Sequence, residues 1–452
     1  MSFRGTESAA MAASRRPMLD SPFSERLSDG DEGEPVKIQA VRGTRDILPD
    51  EIPTWQVLEE AAQRLLGRYG YREIRTPAFE ETELFARGIG AETDIVSKEM
   101  YTFDDRDGSS LTLRPEATAG IVRAVIEHNL MNTDPALKVY GLGPMFRRER
   151  PQKGRYRQFH QLDVEAFGFT SPTIDAEIVE LAIAYLEACG VEQHELILNS
   201  VGDGRCRPGY VEVLRKALRE RASEMCGDCQ RRIETNPLRV LDCKVPADQA
   251  IVDQLPRFVD HLCPECRDHF GEVRRQLEVL GIAYRLNHRL VRGLDYYVRT
   301  TFEVLSGELG AQNSVLGGGR YDGLVRDLGG PDVAGTGFAV GLERLALLLP
   351  PGEGQSRCDV FLAPLAGAAL DPALLLQRDL RRAGVRTMLD PEGRSFKSRM
   401  KQADKLGARL VAILGEDEMK RGVWTVRDMA RSEQEDVPEG QILDHLKEKT
   451  NG

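Results

Sequence analysis

The stretch from Pro144 to Gly168 constrains this chain more than any other. It reads as two strands joined by a basic loop. In the second strand Phe159, Gln161, Asp163 and Glu165 fall on one face, and Leu162, Val164 and Ala166 on the other, because strand side chains alternate. The apolar face can pack on a core. The opposite face carries acceptors and one aromatic ring, an odd surface unless something polar and cationic lies on it. Arg147 and Glu149 share a face of the first strand, and the loop offers Arg148, Arg150, Lys153, Arg155 and Arg157, cations suited to phosphate oxygens. The pattern predicts a site for a molecule with an amine at one end and phosphates at the other. A solvated hairpin with a charged loop is the plainer alternative.

At 452 residues the chain has room for two or three domains with their own cores. The first ~37 residues have the composition of a disordered segment and no apolar periodicity. They lack a signal-peptide core, and Asp29, Asp31, Glu32 and Glu34 speak against a transit peptide, so the expected compartment is the cytoplasm. No apolar run reaches membrane-spanning length. A net charge of −11 argues against indiscriminate nucleic-acid coating, although a basic patch can serve one specific RNA. Eight cysteines in so long a chain read as reduced thiols, not a disulfide framework.

Along the chain, Pro53 opens a helix carrying Trp55, Leu58, Ala62, Leu65 and Tyr69, which Gly70 ends. Residues 71–79 read as a strand. Residues 111–116 are extended, and Arg114, Glu116 and Thr118 share a face if the backbone stays extended that far. A helix follows through Ile121, Val122, Val125 and Ile126, and another spans about 173–189. Residues 203–285 change to charged helices with paired cysteines and read as an insertion. The core resumes with Arg292-Gly293-Leu294-Asp295-Tyr296-Tyr297, the Gly317–Leu324 run, and a glycine-rich strand entering a helix over Gly335–Leu345. After a Pro/Gly linker, strands 358–365 and 408–415 alternate with helices near 371–383 and 396–406, an α/β pattern that predicts a parallel sheet.

These segments together resemble the histidyl-tRNA synthetases, a class II aminoacyl-tRNA synthetase family, over nearly everything after the tail. Gly70–Pro77, the hairpin beginning Phe146-Arg147-Arg148-Glu149, and Gly341-Leu342-Glu343-Arg344 match the three class motifs. The Arg292–Tyr297 and Gly317–Leu324 runs resemble the two segments peculiar to the histidine enzyme. The resemblance implies an α+β fold: a mostly antiparallel sheet with flanking helices, a helical insertion, and a C-terminal α/β anticodon-binding domain. The expected division is a tail at 1–37, a catalytic core at 38–202 and 286–349, an insertion at 203–285, a linker at 350–357 and the anticodon domain at 358–452. It also implies a homodimer with the first motif in the interface. The implied reaction is ATP-dependent formation of histidyl-adenylate, then transfer to the 3′ end of tRNA(His). Expected partners are L-histidine, ATP with Mg²⁺, and tRNA(His), with no membrane and no DNA.

By resemblance, Arg147 and Arg292 are catalytic, gripping the histidine carboxylate and the α-phosphate from opposite sides. Arg344 lies along the ATP, Phe159 stacks on adenine, and Glu149 and Arg155 help to place the nucleotide. Glu165 and Tyr297 contact the imidazole, Tyr296 lines its pocket, and Glu116, Thr118 and Gln161 hold the α-amino group. Ala117 stands in the pocket where the family more often has glycine, which narrows it slightly. Cys226-x-x-Cys229 and Cys263-x-x-Cys266 are matched pairs that could hold one structural Zn²⁺; reduced thiols are the alternative. Cys189, Cys206, Cys243 and Cys358 read as structural. A tRNA partner implies positive charge in the last domain, which Arg394, Lys397, Arg399, Lys401, Lys405, Lys420 and Arg421 supply; a solvated helix face is the alternative for each of them. The rival readings are a non-catalytic synthetase-like regulatory subunit of histidine biosynthesis, which should lack both the anticodon domain and an Arg292 equivalent, and an RNA-binding sensor that kept only the fold.

Overall fold

The computed structural model describes residues 37–90, 93–310, 313–350 and 357–451. The tail expected at 1–37 lies outside these apart from Lys37, as does the linker apart from Pro350 and Arg357. The chain divides into two units, Met1–Arg42 and Gly43–Gly452, and the elements below belong to the second.

Strand β1 (Arg72–Glu73) opens a central sheet, and β2 (Phe79–Glu81), β3 (Tyr101–Asp104) and β4 (Ser110–Leu113) form a small antiparallel sheet of their own. The strand expected at 71–79 is thus two short pieces, interrupted around Pro77, which can donate no ladder hydrogen bond. The central sheet is completed by β5 (Lys138–Phe146), β6 (Gln158–Phe167), β7 (Glu195–Ser200), β8 (Arg285–Leu286), β9 (Val298–Leu305), β10 (Ser314–Arg320) and β11 (Gly335–Gly341). Its order is β1-β5-β6-β11-β10-β9-β7-β8, antiparallel except for the edge pairs β1–β5 and β7–β8.

Helices Ile52–Arg68 and Pro172–Ala188 cover one face of this sheet. Pro172 and the Ser171 side chain, which accepts from the Thr173 amide at 3.2 Å, start the second helix. Against these helices pack Leu162, Val164 and Ala166 of β6, Phe302 and Val304 of β9, and Phe338 and Val340 of β11. Each such leucine, valine or phenylalanine contributes about 1.5–3 kcal/mol by leaving water. The other face of the sheet is left for a cleft.

The insertion has its own core, built by Tyr210, Leu214, Leu218, Cys229, Ile233, Val240 and Phe258. Its last helix, Pro264–Val279, starts there with Cys266 but buries Phe270, Val273 and Leu277 in the apolar cluster of the central sheet. The packing boundary therefore falls within this helix and not at 285. Arg320 of β10, fully buried, joins the same region: its guanidinium binds Asp175 at 2.6 Å, and Asp175 also meets His269 at 2.8 Å.

In the last domain β12 (Val360–Pro364), β13 (Thr387–Leu389) and β14 (Leu410–Leu414) are parallel, as the pattern predicts. Strands β15 (Val423–Asp428) and β16 (Gln434–Pro438) then add an antiparallel hairpin, giving the order β13-β12-β14-β15-β16. The sheet is mixed, not wholly parallel, because a short turn can join only antiparallel neighbours. Among the described residues no helix is long and apolar enough to cross a membrane.

Candidate active site

Strand β6 is hydrogen-bonded on both sides, so its alternation is fixed by register. Opposite Asp163 stand Gly141 of β5 and Ala339 of β11; opposite Gln161 stand Gly143 and Gly341; opposite Glu165 stand Val139 and Gly337. These mostly small neighbours leave open space above the polar row. A Cβ added at Gly337 would lie 1.9 Å from Glu165 Oε2 and 2.3 Å from the Val164 carbonyl. The space is part of a cleft of about 870 Å³, lined by Gln161, Asp163 and Glu165 on its floor and by Arg147, Arg292 and Arg344. The three arginines come from three separate parts of the chain. Glu116, Thr118, Glu149, Arg155, Phe159, Tyr296 and Tyr297 line the same cleft. Ala117 does not reach it. It is buried in the apolar cluster around Ile121 and Phe167.

At the inner end Glu165 is almost fully buried. Its carboxylate accepts from the Thr118 hydroxyl at 2.6 Å and from the Tyr321 hydroxyl. Burial holds its pKa well above the usual carboxylate range, with Asp163 and Glu116 adding to the effect. Three tyrosines surround it: Tyr296 lies 4.7 Å from Tyr297 and 5.6 Å from Tyr321, ring centre to ring centre. A flat apolar box with one carboxyl at its base suits a small heteroaromatic ring bearing N–H groups.

Glu116 is not on an extended face with Arg114 and Thr118. The backbone turns helical at Thr118, and both Glu116 oxygens accept amide hydrogens of that helix, from Thr118 and Ala119, each at 2.9 Å. Asp163 lacks such partners. Among the described residues neither of its oxygens, nor Gln161 Oε1, has a hydrogen-bond partner, although Asp163 is 1% exposed. Burial raises the Asp163 carboxyl to about 8, and the neighbouring Glu116 contributes in the same sense. Orphaned buried acceptors cost free energy until a donor arrives. A ligand ammonium group would satisfy them.

At the outer end Arg147 donates to the Pro115 carbonyl at 2.8 Å and its guanidinium sits 5.2 Å from the Phe159 ring centre. Glu149 pairs with Arg155 at 2.9 Å. Arg292 contacts Glu303 at 3.3 Å and lies against Gly317, where an added Cβ would be 2.2 Å from Nη1. Arg344 donates to the Ser314 carbonyl. Glu343, its neighbour, accepts from the His160 amide at 2.9 Å and fastens helix Leu342–Ala346 to β6.

Asp163, Tyr321 and Glu303 belong to this site without having been given roles from sequence. Asp163 was visible as a member of the polar face and Tyr321 as a member of the Gly317–Leu324 run; Glu303 carried no signal of its own. The Cys226, Cys229, Cys263 and Cys266 thiols do not form one tetrad. The two pairs go to separate clusters, each completed by another cysteine and an aspartate. Cys206 and Cys243 are those further cysteines. In the last domain Arg399 is buried and bound to Asp390 at 3.2 Å and to the Pro364 carbonyl, so it does not face RNA. Arg421 pairs with Asp436 and Glu418.

A family model described as histidyl-tRNA synthetase matches residues 43–345, and one described as anticodon binding domain matches residues 359–449. The histidine–tRNA ligase of Solibacter usitatus is 53% identical over 415 residues, covering 92% of this chain and 100% of its own length. That of Syntrophotalea carbinolica is 50% identical over 420 residues, with 92% and 100% covered. The crystal structure of apo S. aureus histidyl-tRNA synthetase superposes with a TM-score of 0.77 at 36% identity, covering 91% of this chain and 100% of that one. By sequence, fold and the order of its motifs, this chain belongs to the histidyl-tRNA synthetase family.

Proposed function

We propose that this chain is a histidine–tRNA ligase that activates L-histidine with ATP and transfers it to the 3′ end of tRNA(His). One observation carries the reading: an acceptor-rich floor ending in a tyrosine box and three converging arginines share one cleft. In the first step a histidine carboxylate oxygen attacks the α-phosphorus, a bond to that phosphorus forms, and the bond to the bridging oxygen breaks to release pyrophosphate. Negative charge builds on the α-phosphate oxygens, and Arg147 and Arg292 are preorganised to meet it. Arg344 lies along the nucleotide, and Phe159 stacks on the adenine. Asp163 and Gln161 take the ammonium group, and Glu165 with the tyrosines takes the imidazole. Glu116, already committed to its helix, acts by positioning Thr118. In the second step a hydroxyl of the tRNA terminus attacks the histidyl carbonyl carbon and AMP leaves.

Mg²⁺ binding with phosphates needs one or two carboxylates. Glu149 and Glu303, both lining the cleft with side chains 17% and 24% exposed, fit that requirement. When bound, the ion supplies positive charge to the phosphate tail. ATP–pyrophosphate exchange with histidine, compared with the other amino acids, tests the whole reading; exchange that is absent, or not selective for histidine, defeats it. A regulatory subunit is disfavoured by the match to an anticodon-binding domain and by the presence of Arg292.

The Asp163 carboxyl gives a pH test. Folding raises its pKa to about 8, so its contribution to stability is full below the ordinary carboxylate range and declines as pH rises toward 8. At pH 7 the free protein therefore holds this proton, and an arriving ammonium favours its loss. Histidine binding at pH 7 should release roughly one proton, which Asp163→Asn should abolish. Calorimetry in buffers of different ionisation enthalpy reads this directly, and a heat independent of buffer would refute it.

We also infer a homodimer through the first motif. Among the described residues its strand β1 is an edge of the central sheet, and Phe79 and Phe103 of the small sheet are exposed, a sheet edge together with apolar surface. Sedimentation at micromolar concentration should give a two-chain mass, and Phe79→Glu should shift it to one.

A further inference from the structure

The eight cysteines are all free thiols, and six of them gather with two aspartates inside the insertion. One cluster is Asp203, Cys206, Cys263 and Cys266; the other is Cys226, Cys229, Cys243 and Asp248. Within each, the four donor atoms all lie within 4.8 Å of one another. Tetrahedral zinc with bonds near 2.3 Å to sulfur places its donors about 3.8 Å apart, so only a small contraction separates either cluster from a coordination shell.

The clusters are built alike. Cys226 precedes helix Gly227–Thr235 with φ −62° and ψ 156°, and Cys263 precedes helix Pro264–Val279 with φ −63° and ψ 159°. In each case the second cysteine of the pair sits in the first helical turn, which turns both thiols to one side. Each partner pair also comes from a helix start. Cys206 directly precedes helix Arg207–Glu220, and Asp248 lies in the first turn of Pro246–Val252.

Asp248 supplies an independent observation. It is 1% exposed, accepts the Cys226 amide at 3.1 Å and the Cys243 thiol at 3.2 Å, and forms no ion pair with a lysine, arginine or histidine among the described residues. A carboxylate buried among thiols without a cation is costly, and a divalent ion removes that cost. In the first cluster Asp203 Oδ2 is held by Arg205 at 3.0 Å and Arg299 at 3.4 Å, while Oδ1 faces the Cys206 thiol at 3.8 Å. Such outer partners orient a ligating carboxylate.

We propose that the insertion binds two Zn²⁺ ions, each through three thiolates and one carboxylate. Four thiolate-rich donors with no open position select zinc in a structural role. The sites are nested. The first joins the entry of the insertion to its exit helix, and the second crosslinks the middle. Each also anchors an element that grips the segment carrying Arg292. Arg207, beside Cys206, donates to the Tyr297 carbonyl, and Arg239, between Cys229 and Cys243, donates to the Arg292 carbonyl at 3.1 Å.

Elemental analysis of the full chain, purified without chelator from zinc-supplemented cells, tests the stoichiometry independently of enzymatic activity. Two zinc ions per chain are expected, falling to about one in Cys229→Ser and in Cys266→Ser. One or none in the unmodified protein overturns the proposal, as does a content of two that neither substitution lowers. Should those variants fail to fold, zinc-edge X-ray absorption of the unmodified protein decides. Three sulfurs and one oxygen per zinc support the assignment, and four sulfurs or a nitrogen- and oxygen-only shell overturns it.

Discussion

Arg292→Ala should lower histidine-dependent ATP–pyrophosphate exchange by about 10²–10³-fold, the loss typical of removing one preorganised group from a developing oxyanion. The guanidinium pairs with Glu303 at 3.3 Å and lies against the bare backbone of Gly317, the cross-strand partner of Glu303. It contributes little to the apolar core, so the melting temperature should stay within a few degrees of the unmodified chain. The loss should fall chiefly on kcat, because the charge it answers is greatest in the transition state. Near-normal exchange in this variant would remove Arg292 from the chemistry.

Gly317→Ala should reproduce that defect without touching a charged group. Gly317 is an ordinary β10 residue paired with Glu303, and its backbone is not in the left-handed region, so alanine brings no conformational strain. Its methyl group would nevertheless stand 2.2 Å from Arg292 Nη1 and 2.6 Å from Cζ. What must give way is the far end of a flexible side chain, so the fold survives and the guanidinium moves. A fall of about 10²-fold in exchange is expected, since a displacement of about 1 Å is enough to cost that much. The double variant should be scarcely worse than Arg292→Ala alone, because both substitutions remove one interaction. Multiplying losses would show that Gly317 acts elsewhere.

The parts of the molecule legible in its sequence are those written over short distances. The alternation of Gln158–Phe167 identified both faces of β6, and the glycines of β10 and β11 marked the close approaches that make room above it. What stayed hidden depends on partners far along the chain. Asp163 stands out only once both Glu116 oxygens are seen to be taken by helix amides. The grouping of the thiols required knowing that Asp203 meets Cys263, some sixty residues away. Arg399 looked available for RNA because nothing nearby shows that Asp390 and the Pro364 carbonyl bury it. The β15–β16 hairpin escaped notice because its strands expose mostly polar positions, with Trp424, Val426 and Val437 as their few apolar anchors.

The placement of β6 between β5 and β11 has an evolutionary consequence. Its amides are locked on both flanks and exchange with solvent only when the sheet itself opens, whereas Arg147 and Arg292 ride on segments without regular structure, which open at far lower free energy. The acceptor floor is thus housed in the stiffest part of the molecule, and the arginines, with Tyr296 and Tyr297 beside Arg292, in a more pliable one. Heritable variation can therefore reshape the cleft through its loops while the acceptor row of its floor is preserved.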